Sequence, residues 1–149
     1  MKFRFKLESL LKYRNQLKDE AQRDYRSAQF KVDQCLGEIQ KMYEQMDQSR
    51  NLISQKERAK SNDQIPMILS SHDFISGQKI KIERKRQEAR ELMSIAEQKL
   101  EILIAKTQDF EVLKKLKERQ HESFKKEKKK KENKQLDDLV TMRFRRSVV

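Results

Sequence analysis

The chain has 149 residues, of which 35% are apolar and 40% are charged, and its formal net charge is +12. A globular domain of this length would need a larger apolar fraction for its core. Two glycines and one proline provide too few turn signals for an all-β or doubly wound fold. The composition therefore predicts an all-α protein with few, long helices and mostly solvated surfaces, and it disfavours an enclosed active-site pocket.

The first helix is expected from about residue 3 to about residue 60. Apolar residues recur in it at alternating spacings of three and four, which are the a and d positions of a heptad repeat. The predicted seam consists of Tyr25, Ala28, Val32, Cys35, Ile39, Met42, Met46, Ser49 and Ile53. Cys35 is the chain's only cysteine, so we read it as a small packing residue in a reducing compartment, with no disulfide framework.

A connection is expected over residues 61–70, around the only proline, Pro66, because proline breaks a helix. Its apolar residues Ile65, Met67, Ile68 and Leu69 are expected to cap the open end of a hairpin. The second helix should begin at Ser70 or Ser71 and continue to about residue 145. Its predicted seam consists of Ile82, Arg86, Ala89, Met93, Ala96, Leu100, Leu103, Thr107 and Phe110.

The two seams are predicted to cover each other in one antiparallel coiled-coil hairpin formed by residues 1–149. In such a hairpin the numbers of facing residues give a constant sum, here predicted at roughly 132. Small residues then meet large ones in layers such as Ala28/Leu103, Val32/Leu100, Cys35/Ala96, Ile39/Met93, Met42/Ala89 and Ser49/Ile82. A parallel dimer, the scaffold-protein alternative, would not need the break at Pro66, so a monomer is expected.

The excess charge lies at the two ends of the chain. Residues 1–26 carry +4 and residues 111–149 carry +7, whereas the 84 residues between them carry only +1. An antiparallel hairpin joins its ends, so one tip should be basic, with an overhang from about residue 125 that no part of the chain can cover. The overhang contains Lys128, Lys129, Lys130 and Lys131 and then a fresh apolar stripe at Leu136, Leu139, Val140 and Phe144. We expect an acidic partner there.

Nothing in the sequence indicates catalysis, a cofactor or a metal. His72 and His121 are far apart and, with one cysteine, do not have zinc-site spacing. Gly37 and Gly77 are isolated, so no phosphate-binding loop is expected. The absence of a signal peptide or membrane-spanning run predicts a cytoplasmic protein. The basic tip also allows a nucleic-acid-associated coiled coil as the alternative function, although no recognition motif supports it.

Both chain ends resemble the flagellar FliJ family, the small coiled-coil component of the type III export apparatus. Phe5 to Arg14 reads FKLESLLKYR, which is similar to the family's opening Phe-x-Leu-x-x-Leu-Leu-x-x-Arg. Phe110 to Arg119 and Lys134 to Asp138 resemble its Leu-Glu-x-Leu-x-Glu-Arg and Leu-Asp-Glu signatures, from which Lys115 and Asp138 depart.

The resemblance implies a non-enzymatic stalk that inserts its joined termini into the pore of the hexameric flagellar export ATPase. It also implies contact with the export-gate membrane protein FlhA and with export chaperones, at the inner membrane of the flagellar base, and no small-molecule substrate. The ATPase contact is assigned to the tip residues Leu7, Leu11, Arg14, Lys128, Lys129, Lys130, Lys131, Leu136 and Leu139. The gate contact is assigned to Phe74 and Ile75, although Gln78, Lys81 and Lys85 are more polar than expected there.

Overall fold

Two long helices form almost all of the structure. The computed structural model describes residues 1–59 and 62–148. Helix α1 spans Glu8–Arg58, a single 3-10 turn spans Asn62–Gln64, and helix α2 spans Ile65–Ser147. No strand occurs in these described ranges. The predicted all-α class is confirmed.

The chain divides into two compact units, and each contains a piece of both helices. Unit 1 comprises Met1–Asp19 and Ile104–Val149, and unit 2 comprises Glu20–Leu103. In unit 1, Glu8 contacts Lys117 whereas the later Arg14 contacts the earlier Asp109. In unit 2, Glu38 contacts Lys85 and Gln45 contacts Gln78. Residue numbers rise along one helix as they fall along the other, so the predicted antiparallel pairing is confirmed in both units.

Helix α1 begins at Glu8, so the predicted start at about residue 3 was wrong. Residues 1–7 form a non-helical segment, here called the N-terminal strap. Its Phe3 and Phe5 both pack against α2, whereas Lys2, Arg4 and Lys6 are exposed. Alternate residues share a face in an extended chain, whereas in a helix they point to widely separated directions. Residues 1–5 are not helical and residues 6 and 7 form the turn into α1, which allows both rings to pack on the same side.

Helix α2 begins at Ile65, so the predicted connection over 61–70 and the start at Ser70 or Ser71 were wrong. Pro66 lies in the first turn of the helix, where its missing N–H would have had no intrahelical partner. Of the four apolar residues expected to cap the hairpin, only Ile68 packs against the core of unit 2. Ile65, Met67 and Leu69 are exposed. The predicted end of the first helix at residue 60 and the start of the connection at 61 lie outside the described residues.

The seam predicted for α1 is confirmed, because all nine of its residues are buried or half-buried. The seam predicted for α2 was wrong at three of its nine positions, and Leu103, Thr107 and Phe110 in it are half-buried. Its residues Ile82, Ala89 and Ala96 are buried, but Arg86, Met93 and Leu100 are exposed. The intervening seam positions are instead filled by the half-buried Lys85, Leu92, Lys99 and Lys106. Lysine can do this because its long aliphatic stem packs against apolar neighbours while the ammonium group reaches solvent.

The register of the two helices also differs from the predicted one. Facing residues in both units have numbers that sum to roughly 125 instead of 132, as the pairs Glu8/Lys117 and Glu38/Lys85 illustrate. The two sums differ by seven, which is one heptad. A shift of one heptad again places apolar seam residues of one helix opposite those of the other. The layers predicted from the sum of 132 were therefore wrong. The turn comes earlier than expected, because Pro66 belongs to the first turn of α2 and not to the connection.

Candidate functional site

Unit 1 contains a small core that holds the N-terminal strap on α2. Phe5, Leu11 and Leu113 are buried together, and Phe3 and Phe110 pack against them. The ring of Phe3 lies edge-on to His121 at 4.9 Å and tilted against Phe124 at 5.6 Å between ring centroids. These aromatic contacts fix the beginning of the chain beside residues 113–124.

Polar contacts secure the same region. Lys117 Nζ lies 2.8 Å from Glu8 Oε2, and Arg14 Nη1 donates a hydrogen bond to the Asp109 carbonyl oxygen at 2.8 Å. Lys18 Nζ lies 4.3 Å from the centroid of the Phe110 ring, in a cation–π contact. Arg14 is therefore engaged inside unit 1, and Leu11 belongs to its core. Of the three N-terminal residues assigned to partner contact, Leu7 alone is exposed, at 40%.

The strap also presents a row of cations. Lys2, Arg4 and Lys6 alternate with the two inward-facing rings, and all three are exposed. Arg4 and Lys6 line an open groove with Lys117. This row of cations was not predicted from the sequence. The alternation of basic and aromatic residues in KFRFK was the pattern that could have indicated it.

Residues 125–148, which comprise the C-terminal part of α2 and the residue after it, are here called the basic tail, and every residue in it is exposed. It contains Lys128, Lys129, Lys130 and Lys131, of which Lys128 lies 3.7 Å from Glu132 one turn later. Its apolar residues lie far out of any core: Leu136 is 59% exposed and Phe144 is 70% exposed. Leu139 and Val140 extend the same exposed stripe. The tail therefore offers a basic, partly apolar helix surface to a partner.

The two residues assigned to gate contact in unit 2 lie in different environments. Phe74 is 42% exposed, whereas Ile75 is buried in the core of unit 2, so of the two residues assigned to the gate only Phe74 has an exposed side chain. Met67 precedes Phe74 by seven residues, which places both at the same heptad position, and it too is exposed. Met67 and Phe74, here called the Phe74 surface, are two exposed apolar residues near the start of α2. The spacing of seven residues from Phe74 could have indicated Met67 as part of this surface from the sequence.

Gln78 and Lys85, which are unusually polar for that neighbourhood, belong to the seam. Gln78 is buried and bonded to Gln45, and Lys85 is half-buried between two carboxylates. The hydrogen bonds that the Lys85 ammonium group donates to the Glu38 and Glu88 carboxylates raise the pKa of Lys85 above its ordinary value. Burial raises the pKa of the nearby Cys35 thiol, because the low-dielectric seam disfavours the thiolate. Lys81 is exposed.

Within the described residues, no group of histidine, cysteine or carboxylate side chains could hold a metal ion, and no helix is long and apolar enough to cross a membrane. A family model described as "Flagellar FliJ protein" matches residues 2–148, which include both the N-terminal strap and the basic tail. No curated protein and no solved structure matches the chain.

Proposed function

The chain belongs to the flagellar FliJ protein family, and from that premise we propose that it is the non-enzymatic stalk and coupling factor of the flagellar type III export ATPase. Family membership supports a role in flagellar protein export. The specific proposal is that unit 1 inserts the joined ends of the chain into the pore of the hexameric ATPase.

The basic tail carries this proposal. A helical surface that stays fully exposed over residues 125–148, with a lysine cluster and an apolar stripe, is not required by the fold of unit 1. Burial of such a stripe by a partner would be favourable, and acidic groups around it would be attracted to the lysines. A pore lined with carboxylates and apolar side chains would satisfy both features.

The contact residues divide into two groups. Direct contact with the ATPase is proposed for Leu7 of the strap and for six residues of the basic tail, namely Lys128, Lys129, Lys130, Lys131, Leu136 and Leu139. Leu11 and Arg14 are proposed to act from within, because they hold the strap and the start of α1 in place.

The Phe74 surface in unit 2 is proposed to contact the export gate protein FlhA. Ile75 contributes by holding the first turns of α2 against the core. We also propose that the protein binds unloaded export chaperones and that it lies in the cytoplasm beside the inner membrane.

Charge reversal of the basic tail tests the proposed function. Replacing Lys128, Lys129, Lys130 and Lys131 by Glu should abolish stimulation of the purified export ATPase and weaken binding to it at physiological salt. Helix content should stay unchanged in circular dichroism, because these side chains are exposed. A matched control replaces the exposed cations Lys41, Lys79, Arg84 and Arg90 of unit 2 by Glu, with the same change in net charge.

We expect the control variant to stimulate the ATPase normally. If both variants lose stimulation equally, net charge is responsible and the basic tail is not the contact. If the tail variant stimulates normally, the insertion proposal is wrong. Tight, salt-dependent binding of the wild-type protein to duplex DNA, lost in the tail variant, would favour the alternative of a nucleic-acid-associated coiled coil.

A further inference from the structure

The apolar seams of unit 2 do not by themselves determine how α1 and α2 are aligned. Both seams repeat every seven residues, so a slip of one heptad brings equivalent apolar residues opposite one another. Such a slip would displace one helix along the other by about 10 Å. The observed register therefore needs a further determinant, either in the connection between the helices or in contacts across the seam.

Gln78 is the first such contact. It is only 5% exposed, and its Nε2 donates a hydrogen bond of 3.0 Å to Gln45 Oε1 on the facing helix. In the register with a sum near 132, Gln78 would face Leu52, which has no polar side-chain atom. A buried amide without a partner is costly, so this slip is penalised.

Lys85 is the second contact. Its Nζ lies 2.8 Å from Glu38 Oε2 across the seam and 3.1 Å from Glu88 Oε2 on its own helix. A slip in one direction would place Glu38 opposite Leu92. A slip in the other direction would place Lys85 opposite Lys31, which brings two ammonium groups together. Both displacements lose the ion pair, and the second adds repulsion.

Arg86 adds a third contact on the other side of the seam. Its Nη2 donates a hydrogen bond to the Tyr43 hydroxyl, and its guanidinium carbon lies 5.7 Å from the centroid of the same ring. The slip that places Gln78 opposite Leu52 would also place Arg86 opposite Arg50. Three polar contacts thus disfavour the registers that the apolar seam permits.

We propose that the polar layers Gln45/Gln78 and Glu38/Lys85 set the register of the hairpin in unit 2. The apolar seam supplies most of the stability, and the polar layers select one alignment among those of similar apolar burial. Polar pairs at the seam of a coiled coil are suited to this role, because a misaligned register separates the partners and leaves the buried Gln78 amide unsatisfied. The inference does not depend on the proposed function, because it concerns the isolated protein.

Cys35 provides the test, because it lies in the seam with its Sγ 3.6 Å from the Lys85 carbonyl oxygen. In the observed register Cys35 shares a core cluster with Ala89, whereas Ala96 lies one heptad further along and clusters with Ala28 and Val32. Single variants Ala89→Cys and Ala96→Cys therefore report the two registers. Under mild oxidation, we expect the disulfide from Cys35 to form at least tenfold faster with position 89, measured by mass spectrometry of proteolytic peptides.

The same two cysteine variants are then made with Gln45→Leu, Gln78→Leu and Lys85→Leu. If the polar layers set the register, the preference for position 89 should fall at least threefold, with helix content retained in circular dichroism. A control background with Gln40→Leu and Glu44→Leu removes a hydrogen bond on the exposed face of α1 and should leave the preference unchanged. An undiminished preference in the first background, or an equal fall in the control, would overturn the proposal.

Discussion

Phe74 and Ile75 are adjacent apolar residues with different roles. The side chain of Ile75 is directed into the core of unit 2, where it is 8% exposed, whereas the ring of Phe74 is 42% exposed. Consecutive residues on a helix are separated by about 100° around its axis, so one can face the seam while the next faces solvent. Stability and partner binding can therefore be tested separately at these two positions.

The residue-scale prediction is that Phe74→Ala weakens binding to the cytoplasmic domain of FlhA and changes the free energy of unfolding by only about 1 kcal/mol. Ile75→Ala should lower the free energy of unfolding by about 2–4 kcal/mol, because it leaves a cavity in the core. Thermal melting and a binding assay on both variants measure the two effects. A large loss of stability with intact binding in Phe74→Ala would remove Phe74 from the gate contact.

Helix α2 continues well beyond the last residue that packs against another part of the chain. Phe124 is half-buried against Phe3, and every residue from 125 to 148 is exposed. The basic tail is therefore stabilised by its own helical hydrogen bonds and local contacts, such as the bond from Thr141 Oγ1 to the Asp137 carbonyl oxygen at 2.7 Å. Its ends are free to fray without affecting the core.

The element-scale prediction follows from this exposure. A chain that ends at Phe124 should keep its melting temperature within about 3 °C, because no buried side chain is lost. Its ATPase stimulation should disappear. The control is a deletion of residues 1–7 that retains an initiating methionine. It should lower the melting temperature clearly, because Phe5 is buried. A large drop on removing the tail would show that the tail packs against its own chain.

The elements were predictable from the sequence where apolar spacing alone decides burial. The seam of α1 is such a case, since Val32, Ile39 and Met46 follow the heptad and are buried. Three positions of the α2 seam were missed, because the half-buried Lys85, Leu92 and Lys99 each lie one residue before the predicted Arg86, Met93 and Leu100. Hydrophobicity does not reveal how far a lysine stem reaches into a seam.

The register of the two helices and the conformation of the N-terminal strap could not be predicted from the heptad periodicity alone. A heptad pattern repeats, so it is compatible with several alignments, and the choice depends on particular partners such as Gln45 and Gln78. The strap was missed because the helical reading continued through Phe3 and Phe5, although their alternation with basic residues indicates an extended segment. Of the candidate site, the exposed tail was predictable, whereas the burial of Leu11 and Ile75 was not.

At the scale of the whole molecule, each unit covers the seams of both helices within one chain, so no second copy is needed to bury them. We therefore predict a monomer. Light scattering after size exclusion should give a mass of 18.0 kDa at micromolar concentration. A mass twice as large that persists at high salt would indicate a dimer, and its loss in the chain ending at Phe124 would locate the contact in the basic tail.

The most direct test of the stalk proposal is a photocrosslink from the basic tail. A benzoyl-phenylalanine at position 139, whose leucine is exposed, should crosslink to the export ATPase in cells that are building flagella. The same group at position 30, an exposed phenylalanine of unit 2, serves as the control and should give no crosslink to the ATPase. Crosslinking to the ATPase from position 139 alone is the predicted result, whereas equal crosslinking from both positions, or none from position 139, would contradict the proposal.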